Sequence, residues 1–206
     1  MPVITLHTYN TPNGHKAAIM LEETGLAYET RVWDLPAGAH TGADYGRISP
    51  IHRIPAIEDD VGGRRQRIFG SGAILYHLAE RTGQLMPTDP NMRAETYSWV
   101  EFGVSDLAPA AMNLFRFAIR APEKLPYAID LFKDEFTRCL RAMETRLGES
   151  QHLAGPDYTI GDIACLPFTL LSMRKPGYAE AWPNLARWCA SLEARPAVQR
   201  GLKAVG

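Results

Sequence analysis

Residues 7–16 of the chain read HTYNTPNGHK, and the remaining elements are best understood outward from this stretch. It follows an apolar run at residues 3–6 that is rich in strand-forming side chains, and it precedes residues 17–23, whose apolar positions recur at helical spacing. Residues 12–14 are proline, asparagine and glycine, which are turn-forming types. The stretch therefore predicts a strand, a tight turn and a helix whose first backbone N–H groups point unpaired at the turn.

The side chains beside this helix start add hydrogen-bonding groups of their own. A helix start attracts an anion because its first N–H groups have no partner within the helix. Thr11 and Asn13 supply a hydroxyl and an amide, which can donate to a sulfur or an oxyanion without carrying charge. The same residue types also close turns and cap helices. Two interpretations therefore stay open here, a cradle for a thiolate and a purely structural turn.

Composition narrows the classes of function. The 206 residues are 46% hydrophobic and 22% charged, which describes a globular chain of one or two domains. Since the 22 basic residues are matched by 23 acidic ones, no overall basic excess favours nucleic acid or an anionic membrane as a partner. The one dense basic run, at residues 64–67, follows a glycine pair and is interpreted as a solvated loop after a hairpin turn.

The cysteines and histidines do not support a disulfide framework or a metal site. Cys139, Cys165 and Cys189 are odd in number, far apart and placed in segments of helical periodicity. None of the six histidines forms a pair with zinc-binding spacing, and there is no C-x-x-C pair. No apolar segment has the length of a membrane span, and no signal-peptide pattern opens the chain. We expect a cytoplasmic protein without a metal.

A compact sheet covered by helices is predicted for the first part of the chain. Residues 28–33 alternate well enough for a second strand, which makes a β-α-β unit. Residues 53–58 and 67–69 follow as two more strands joined through the glycine turn. A helix then runs over residues 73–81, with Ser71 in the place that a capping side chain prefers. A second helix start therefore faces the first across the sheet, giving two convergent anion sites.

A change of pattern separates this part from the rest of the chain. Residues 83–90 contain two prolines, and everything after them has helical periodicity. We therefore predict a first domain at 1–82, a linker at 83–90 and an all-helical domain at 91–206. Within the helical part, the hydroxyl of Thr159 and the carboxylate of Asp162 have the spacing of a capping box at a helix start.

In their order along the chain, these motifs resemble the cytosolic glutathione transferases, and the resemblance covers essentially the whole chain. It implies an α/β plus all-α fold, in which a thioredoxin-like N-terminal domain precedes an all-helical C-terminal domain. Residues 11–16, followed by 21–23, resemble the Nu class, whose members characteristically act as glutathione-dependent disulfide-bond reductases. Residues 47–55, 71–74 and 159–162 also fall where the family has its motifs.

The resemblance assigns the sulfur of glutathione to the turn. Thr11 and Asn13 would bind this sulfur and act as the catalytic residues. Tyr9 is a secondary candidate, because other transferase classes activate the thiol with a tyrosine near this position; its alternative role is to pack against the ligand. Since no C-x-x-C pair occupies the turn, the nucleophilic sulfur would come from bound glutathione and would attack a disulfide.

The resemblance also places the rest of glutathione. The backbone of Ile54 would pair with the cysteinyl unit, and Pro55 would follow a cis peptide bond. Ser71 and its helix start would receive the γ-glutamyl carboxylate. His40 and Arg53 lie where the family binds the glycyl end.

Two positions depart from the family pattern. Gly70 stands where the family usually has an acidic residue that holds the γ-glutamyl ammonium, which predicts weaker binding of free glutathione. Asp106 from a partner subunit is the candidate substitute for this acidic group. Leu131 takes the place of an arginine that Nu-class members tend to have close to the sulfur.

Three functions stay open at this stage: a glutathione-dependent disulfide reductase, a conjugating transferase or peroxidase with another electrophile, and a non-catalytic binding protein on the same scaffold. The expected partners are glutathione as co-substrate and a small electrophile or disulfide, with no metal, nucleic acid or membrane. A helix predicted over residues 91–120, bent at Pro109, is the element that the superfamily packs against its symmetry mate. We therefore expect a homodimer.

Overall fold

The computed structural model describes residues 4–205, and the contacts of the chain group it into two compact units. The first unit contains Met1–Met86 together with Glu193–Gly206, and the second contains Pro87–Leu192. The sequence instead predicts that residues 193–206 belong to the all-helical domain at 91–206. The domain boundaries drawn from the sequence stay a prediction.

The helices and strands follow the predicted order. In the first unit they are β1 (Ile4–Thr8), α1 (Pro12–Thr24), β2 (Tyr28–Val32), α2 (Ala43–Gly46), β3 (Ala56–Val61), β4 (Arg64–Phe69) and α3 (Ser71–Thr82). In the second unit they are α4 (Pro90–Glu101), α5 (Ala108–Phe115), α6 (Pro126–Glu149), α7 (Ile160–Met173), α8 (Tyr178–Ala181) and α9 (Pro183–Glu193). The last helix, α10 (Pro196–Lys203), belongs to the first unit.

The four-stranded sheet of the first unit has the strand order β2-β1-β3-β4. Strands β1 and β2 are parallel, whereas β1 with β3 and β3 with β4 are antiparallel. This arrangement confirms the predicted fold class. The first strand is longer than the predicted residues 3–6, since it runs to Thr8, and Val3 lies outside the described residues.

Strand β4 corrects the interpretation of the basic run as a loop. Residues 64–67 are paired with β3 over their whole length, because Gly62 and Gly63, at φ angles of 59° and 78°, make the turn and the strand begins at once after it. A left-handed conformation at both central residues is what a tight two-residue hairpin needs. Residues 64–67 are all exposed on an edge strand. The sequence therefore shows no alternation of apolar and polar side chains there.

Helix α1 is the centre of the first unit, and it contacts both α3 and α10. Two ion pairs attach α10 and the residue before it to α1. Arg195 donates to both carboxylate oxygens of Glu23, at 2.7 and 2.8 Å, and Arg200 donates to Glu22 at 2.6 Å. The core of this unit is made of fully buried aliphatic side chains, among them Ile4, Leu6, Ile19, Met20, Leu21, Ile57, Ile74, Leu75 and Leu78.

In the second unit, the helical run that begins with α4 is continuous past the proline that we expected to bend it. Residues 102–107, just before Pro109, adopt a π-helical geometry, and α5 begins directly after them. Pro109 has no N–H to donate to the carbonyl four residues earlier, and that carbonyl lies inside the π-helical segment. The irregularity therefore sits one turn before the proline, where the hydrogen bond is missing.

A buried carboxylate organises the start of α7. The Thr159 and Asp162 side chains form the predicted capping box, which is thereby confirmed. Asp162 also accepts the backbone N–H of Leu153 at 3.0 Å and the indole N–H of Trp188 at 2.9 Å, so it links a preceding loop and α9 to the helix start. Among the helices of residues 4–205, none combines the length and apolar character that crossing a membrane requires.

Candidate functional site

Three strand ends meet at one edge of the sheet. The strand register places His7 beside Ala56, and Ala56 beside Phe69. The end of β1, the beginning of β3 and the end of β4 are therefore neighbours, and helices α1 and α3 both start from this edge. The arrangement brings together the segments that carry most of the predicted site residues, which are residues 9–13, residues 53–55 and residues 70–71.

The start of α1 differs in one respect from the sequence-based expectation. Thr11 is the capping residue, and its hydroxyl oxygen accepts the N–H of Gly14 at 3.1 Å. Pro12, the first residue of the helix, has no N–H to offer. Of the helix-start donors expected to face the turn, one is therefore absent and another is used by the cap. Side-chain donors matter correspondingly more at this site.

The capping role of Thr11 is compatible with a role towards sulfur. A hydroxyl has two lone pairs and one proton, and the contact with Gly14 uses a lone pair only. The proton points towards the carbonyl of Tyr9 at a long 3.4 Å, which is weak enough to yield to a better acceptor. A Cβ at Gly14 would lie only 2.3 Å from that same carbonyl, so glycine is required for α1 to close on the end of β1. Asn13 is partly buried in the first turn of α1, and Tyr9 is partly exposed before it.

The segment before β3 is held by two hydroxyl groups. The Tyr45 hydroxyl and the Ser49 hydroxyl both donate to the carbonyl of Arg53, each at 3.0 Å. The Ile54–Pro55 peptide bond is cis, as the resemblance implied. The sequence predicts that residues 53–55 contact glutathione, but it does not predict that the hydroxyls of Tyr45 and Ser49 fix this backbone.

The start of α3 corrects the assignment of its cap. Gly70, not Ser71, is the capping residue, and it has a φ of 88° and a ψ of 130°. Only glycine adopts this conformation without strain, because it has no Cβ. The chain takes this path where it passes from β4 into α3. Ser71 is thereby the first residue of the helix, and no side chain caps the N–H groups of the first turn. The N–H of Gly70 donates to the carbonyl of Pro55 at 3.2 Å, which joins this helix start to the segment before β3.

His40 lies in a short 3₁₀ turn, Ala39–Thr41, away from the strands. Its Nδ1 atom is buried and makes no hydrogen bond to any of the described residues. A buried nitrogen without a partner is costly, which makes this atom a candidate for ligand binding. The carbonyl of His40 accepts a hydrogen bond from Nδ1 of the His52 ring at 2.9 Å.

A buried polar network, which the sequence does not predict, lies beneath the site. The indole N–H of Trp33 donates to Nδ1 of His7 at 3.1 Å, so the proton of the neutral ring lies on Nε2, which donates to Glu58 at 3.1 Å. Burial lowers the pKa of His7, which favours this neutral form. Trp33 also packs edge-on against Tyr45 at 4.7 Å, and burial raises the pKa of Tyr45, so its hydroxyl remains a donor to Arg53.

The other two predicted residues belong to the second unit. Asp106 is exposed within the π-helical segment, and Leu131 is 42% exposed in α6. Within residues 4–205, no group of three or more histidine, cysteine, aspartate or glutamate side chains is placed to hold a metal ion.

The chain matches two family models along its length. The model described as Glutathione S-transferase, N-terminal domain, matches residues 1–80, and the model described as Glutathione S-transferase, C-terminal domain, matches residues 126–191. Among individual relatives, the disulfide-bond oxidoreductase YfcG of Escherichia coli strain K12 is 36% identical over 203 residues, which cover 97% of this chain and 94% of YfcG.

Solved structures give the same result. A glutathione transferase of Burkholderia graminis, with two glutathione molecules bound per subunit, has a TM-score of 0.92 and 34% identity, covering 98% of this chain and 88% of that one. A glutathione transferase of Pseudomonas putida, with one glutathione disulfide bound per subunit, has a TM-score of 0.92 and 32% identity, covering 99% of this chain and 92% of that one. The chain described here therefore belongs to the glutathione S-transferase family.

Proposed function

We propose that this protein is a glutathione-dependent thiol/disulfide oxidoreductase of the Nu class, in which bound glutathione supplies the nucleophilic thiolate. The observation that carries the proposal is the turn at the start of α1, where Thr11 and Asn13 present a hydroxyl and an amide and no cysteine is present. The chain's own thiols are poorly suited to the reaction. All three cysteines are buried, and burial raises the pKa of Cys139 to about 11.

The energy required for thiol activation is within reach of these groups. Lowering a thiol pKa from about 8.5 by roughly two units needs about 3 kcal/mol of preference for the thiolate. Hydrogen bonds to a charged group contribute about 1.5–3 kcal/mol each, and a helix start adds about 0.3–1 kcal/mol. Because the cap and Pro12 reduce the N–H donors of α1, most of this preference is assigned to the side chains of Thr11 and Asn13.

The proposed reaction is two successive thiol–disulfide exchanges. The thiolate of the bound glutathione attacks one sulfur of the substrate disulfide, which forms a mixed disulfide and releases the other sulfur as a thiolate. A second glutathione thiolate then attacks the mixed disulfide, giving glutathione disulfide and the second substrate thiol. The relatives support this scheme, since one solved neighbour carries glutathione disulfide and another carries two glutathione molecules per subunit.

The rest of the ligand is assigned to the same edge of the sheet. The backbone of Ile54, before Pro55, would pair with the cysteinyl unit, and the first-turn N–H groups of α3 around Ser71 would receive the γ-glutamyl carboxylate. His40 and Arg53 would bind the glycyl carboxylate. The buried Nδ1 atom of His40 supports this role.

A conjugating transferase is the second candidate, and one position favours it. Leu131 stands where Nu-class members tend to have an arginine, and it presents a partly exposed apolar side chain. An apolar side chain offers no hydrogen bond to a second, negatively charged glutathione, whereas it suits an apolar electrophile. We rank this function below disulfide reduction, because YfcG is an oxidoreductase by name and matches 97% of the chain.

One set of assays separates these functions. We expect retention on immobilised glutathione, glutathione-dependent turnover of a model disulfide, and slower conjugation of an aryl halide. Conjugation without disulfide turnover would establish the second candidate. Retention without either activity would indicate a binding protein on the same scaffold, and the absence of retention and of turnover would refute a glutathione-dependent function.

Gly70→Glu is expected to tighten the binding of glutathione about tenfold, because a carboxylate here would pair with the γ-glutamyl ammonium in a hydrogen bond of about 1.5–3 kcal/mol. The left-handed φ of 88° at this position would at the same time lower the free energy of unfolding by about 1–3 kcal/mol. No atom lies within 4 Å of a Cβ built there, so the side chain itself has room. Calorimetric titration and thermal unfolding measure the two effects.

Gly70→Ala is the matched control, since it adds the same backbone strain without a carboxylate. It should unfold at the same lowered temperature and bind glutathione as the parent does. Equal binding by the glutamate and alanine variants would show that the ammonium is held by another group.

A twofold homodimer is expected in solution, with the helical run of residues 90–120 at the interface. In that assembly, the exposed carboxylate of Asp106 from one subunit is the candidate partner for the γ-glutamyl ammonium bound by the other. If Asp106 holds the ammonium, Gly70→Glu should tighten the binding of glutathione by less than about tenfold. Light scattering at micromolar concentration should give twice the chain mass of 22.9 kDa. A monomer mass would refute the dimer and remove Asp106 from the site.

The cytoplasm, where glutathione is plentiful and cysteines stay reduced, is the proposed location of the protein.

A further inference from the structure

We infer that His52 is a positioning residue that holds His40 and Arg53 together for the glycyl carboxylate, and this inference rests on the proposed function. His52 directly precedes Arg53 in the chain. Its ring is bonded through Nδ1 to the carbonyl of His40 at 2.9 Å. A carbonyl can only accept, so the ring nitrogen donates and the proton lies on Nδ1. The two proposed glycyl-binding residues are thus joined through one side chain.

The backbone of His52 is built for this contact. Its φ of 52° is left-handed, which is uncommon outside glycine and which asparagine, aspartate and histidine tolerate best. Its N–H donates to the carbonyl of Ser49 at 2.9 Å, which closes a turn. This conformation costs free energy for a residue that has a Cβ, and the hydrogen bond of the His52 ring can offset that cost.

The ring of His52 also has a seat on α2. A Cβ built at Gly46 would lie 2.8 Å from Cε1 and 3.0 Å from Nε2 of the ring, closer than a side chain can approach. The glycine therefore leaves the space that the ring occupies. The ring is held between the end of α2 and the carbonyl of His40.

The other end of the connection is equally fixed. The carbonyl of Arg53 accepts from Tyr45 and Ser49, each at 3.0 Å, while the residue as a whole is exposed. Two hydrogen bonds therefore fix the carbonyl of Arg53, while its exposed side chain is accessible to a ligand. On the other side, His40 brings a buried nitrogen that lacks a partner among the described residues.

The proposed site for the glycyl carboxylate is formed by two separate segments, residues 39–41 and residues 52–54. No strand ladder joins the turn at residues 39–41 to the segment at residues 52–54. Without the contact of His52, these loops would have to be ordered when the ligand binds, and that cost would reduce the affinity. The effect should be confined to ligands that possess the glycyl carboxylate.

The test compares glutathione with γ-glutamylcysteine, which lacks the glycyl residue. His52→Ala is expected to weaken the binding of glutathione about five- to tenfold and to leave the binding of γ-glutamylcysteine within about twofold of the parent. His52→Asn should retain most of the affinity, because asparagine tolerates the backbone conformation and its amide can donate from nearly the same place. Calorimetric titration of each variant with both ligands gives the comparison.

Gly46→Ala tests the same contact without changing His52. The added methyl group would displace the ring, so glutathione binding should weaken while γ-glutamylcysteine binding is retained. Equal weakening towards both ligands would mean that His52 only supports the fold, and unchanged binding of both would also overturn the inference. If the parent protein binds neither ligand, the proposed function itself fails, which these titrations distinguish from failure of the His52 assignment alone.

Discussion

Replacement of Asn13 by alanine should lower the turnover of a model disulfide about ten- to a hundredfold at saturating glutathione. The substitution removes one hydrogen bond to a charged sulfur, which corresponds to about 1.5–3 kcal/mol of transition-state stabilisation. The loss should be larger than the effect on folding, because Asn13 lies in the partly exposed first turn of α1. Steady-state kinetics and a thermal unfolding curve of the same preparation measure both quantities.

Two further variants make the assignment specific. Asn10→Ala, at an exposed position of the same stretch, serves as the matched control and should keep the parent's turnover. Tyr9→Phe removes only a hydroxyl. If Tyr9→Phe alone lost as much activity as Asn13→Ala, the catalytic role would move to the tyrosine. Full activity of Asn13→Ala would rule out the proposed sulfur contact.

Asp162→Ala is expected to destabilise the protein by about 3–5 kcal/mol, the largest effect on folding that the structure suggests. The carboxylate is fully buried, and it accepts the backbone N–H groups of Leu153 and Thr159 and the indole N–H of Trp188. Each buried donor left without an acceptor costs about 1–3 kcal/mol. For a chain of this size, the melting temperature should fall by roughly 6–20 °C.

Asp157→Ala is the control for this experiment, because Asp157 is an exposed aspartate in the same loop. Its melting temperature should stay within about 2 °C of the parent, as surface substitutions usually cost less than about 0.5 kcal/mol. If the two alanine variants melted at the same temperature, Asp162 would not be the organising group of α7.

The parts of the site that could be predicted are those with a local signal. Turn-forming residues at 12–14 between an apolar run and a helical pattern located the start of α1, and the spacing of Thr159 and Asp162 located the start of α7. Both signals depend on residues within one turn of each other, so the sequence displays them directly. The assignment of Ser71 as a cap failed because the left-handed path through Gly70 is set by the chain's route from β4, not by local preference.

Features that depend on distant contacts could not be predicted in the same way. The sequence predicts the end of strand β4, residues 67–69, but not its beginning at residues 64–66, because side chains exposed to solvent show no alternation of polar and apolar residues. The bond between the His52 ring and the carbonyl of His40 joins two irregular segments, where no periodicity marks a partner. The indole of Trp33 and the ring of His7 likewise meet only because parallel strands bring them together.

The attachment of α10 to α1 has a consequence for synthesis of the chain. The face of α1 around Ile19 is covered by α10, whose backbone approaches so closely that a Cβ at Gly201 would lie 2.6 Å from the Cα of Ile19. A ribosome makes Ile19 before the whole of the second unit and Gly201 after it. Until α10 has been made, this apolar face has no cover, so the first unit reaches its complete form only after the second unit has been synthesised.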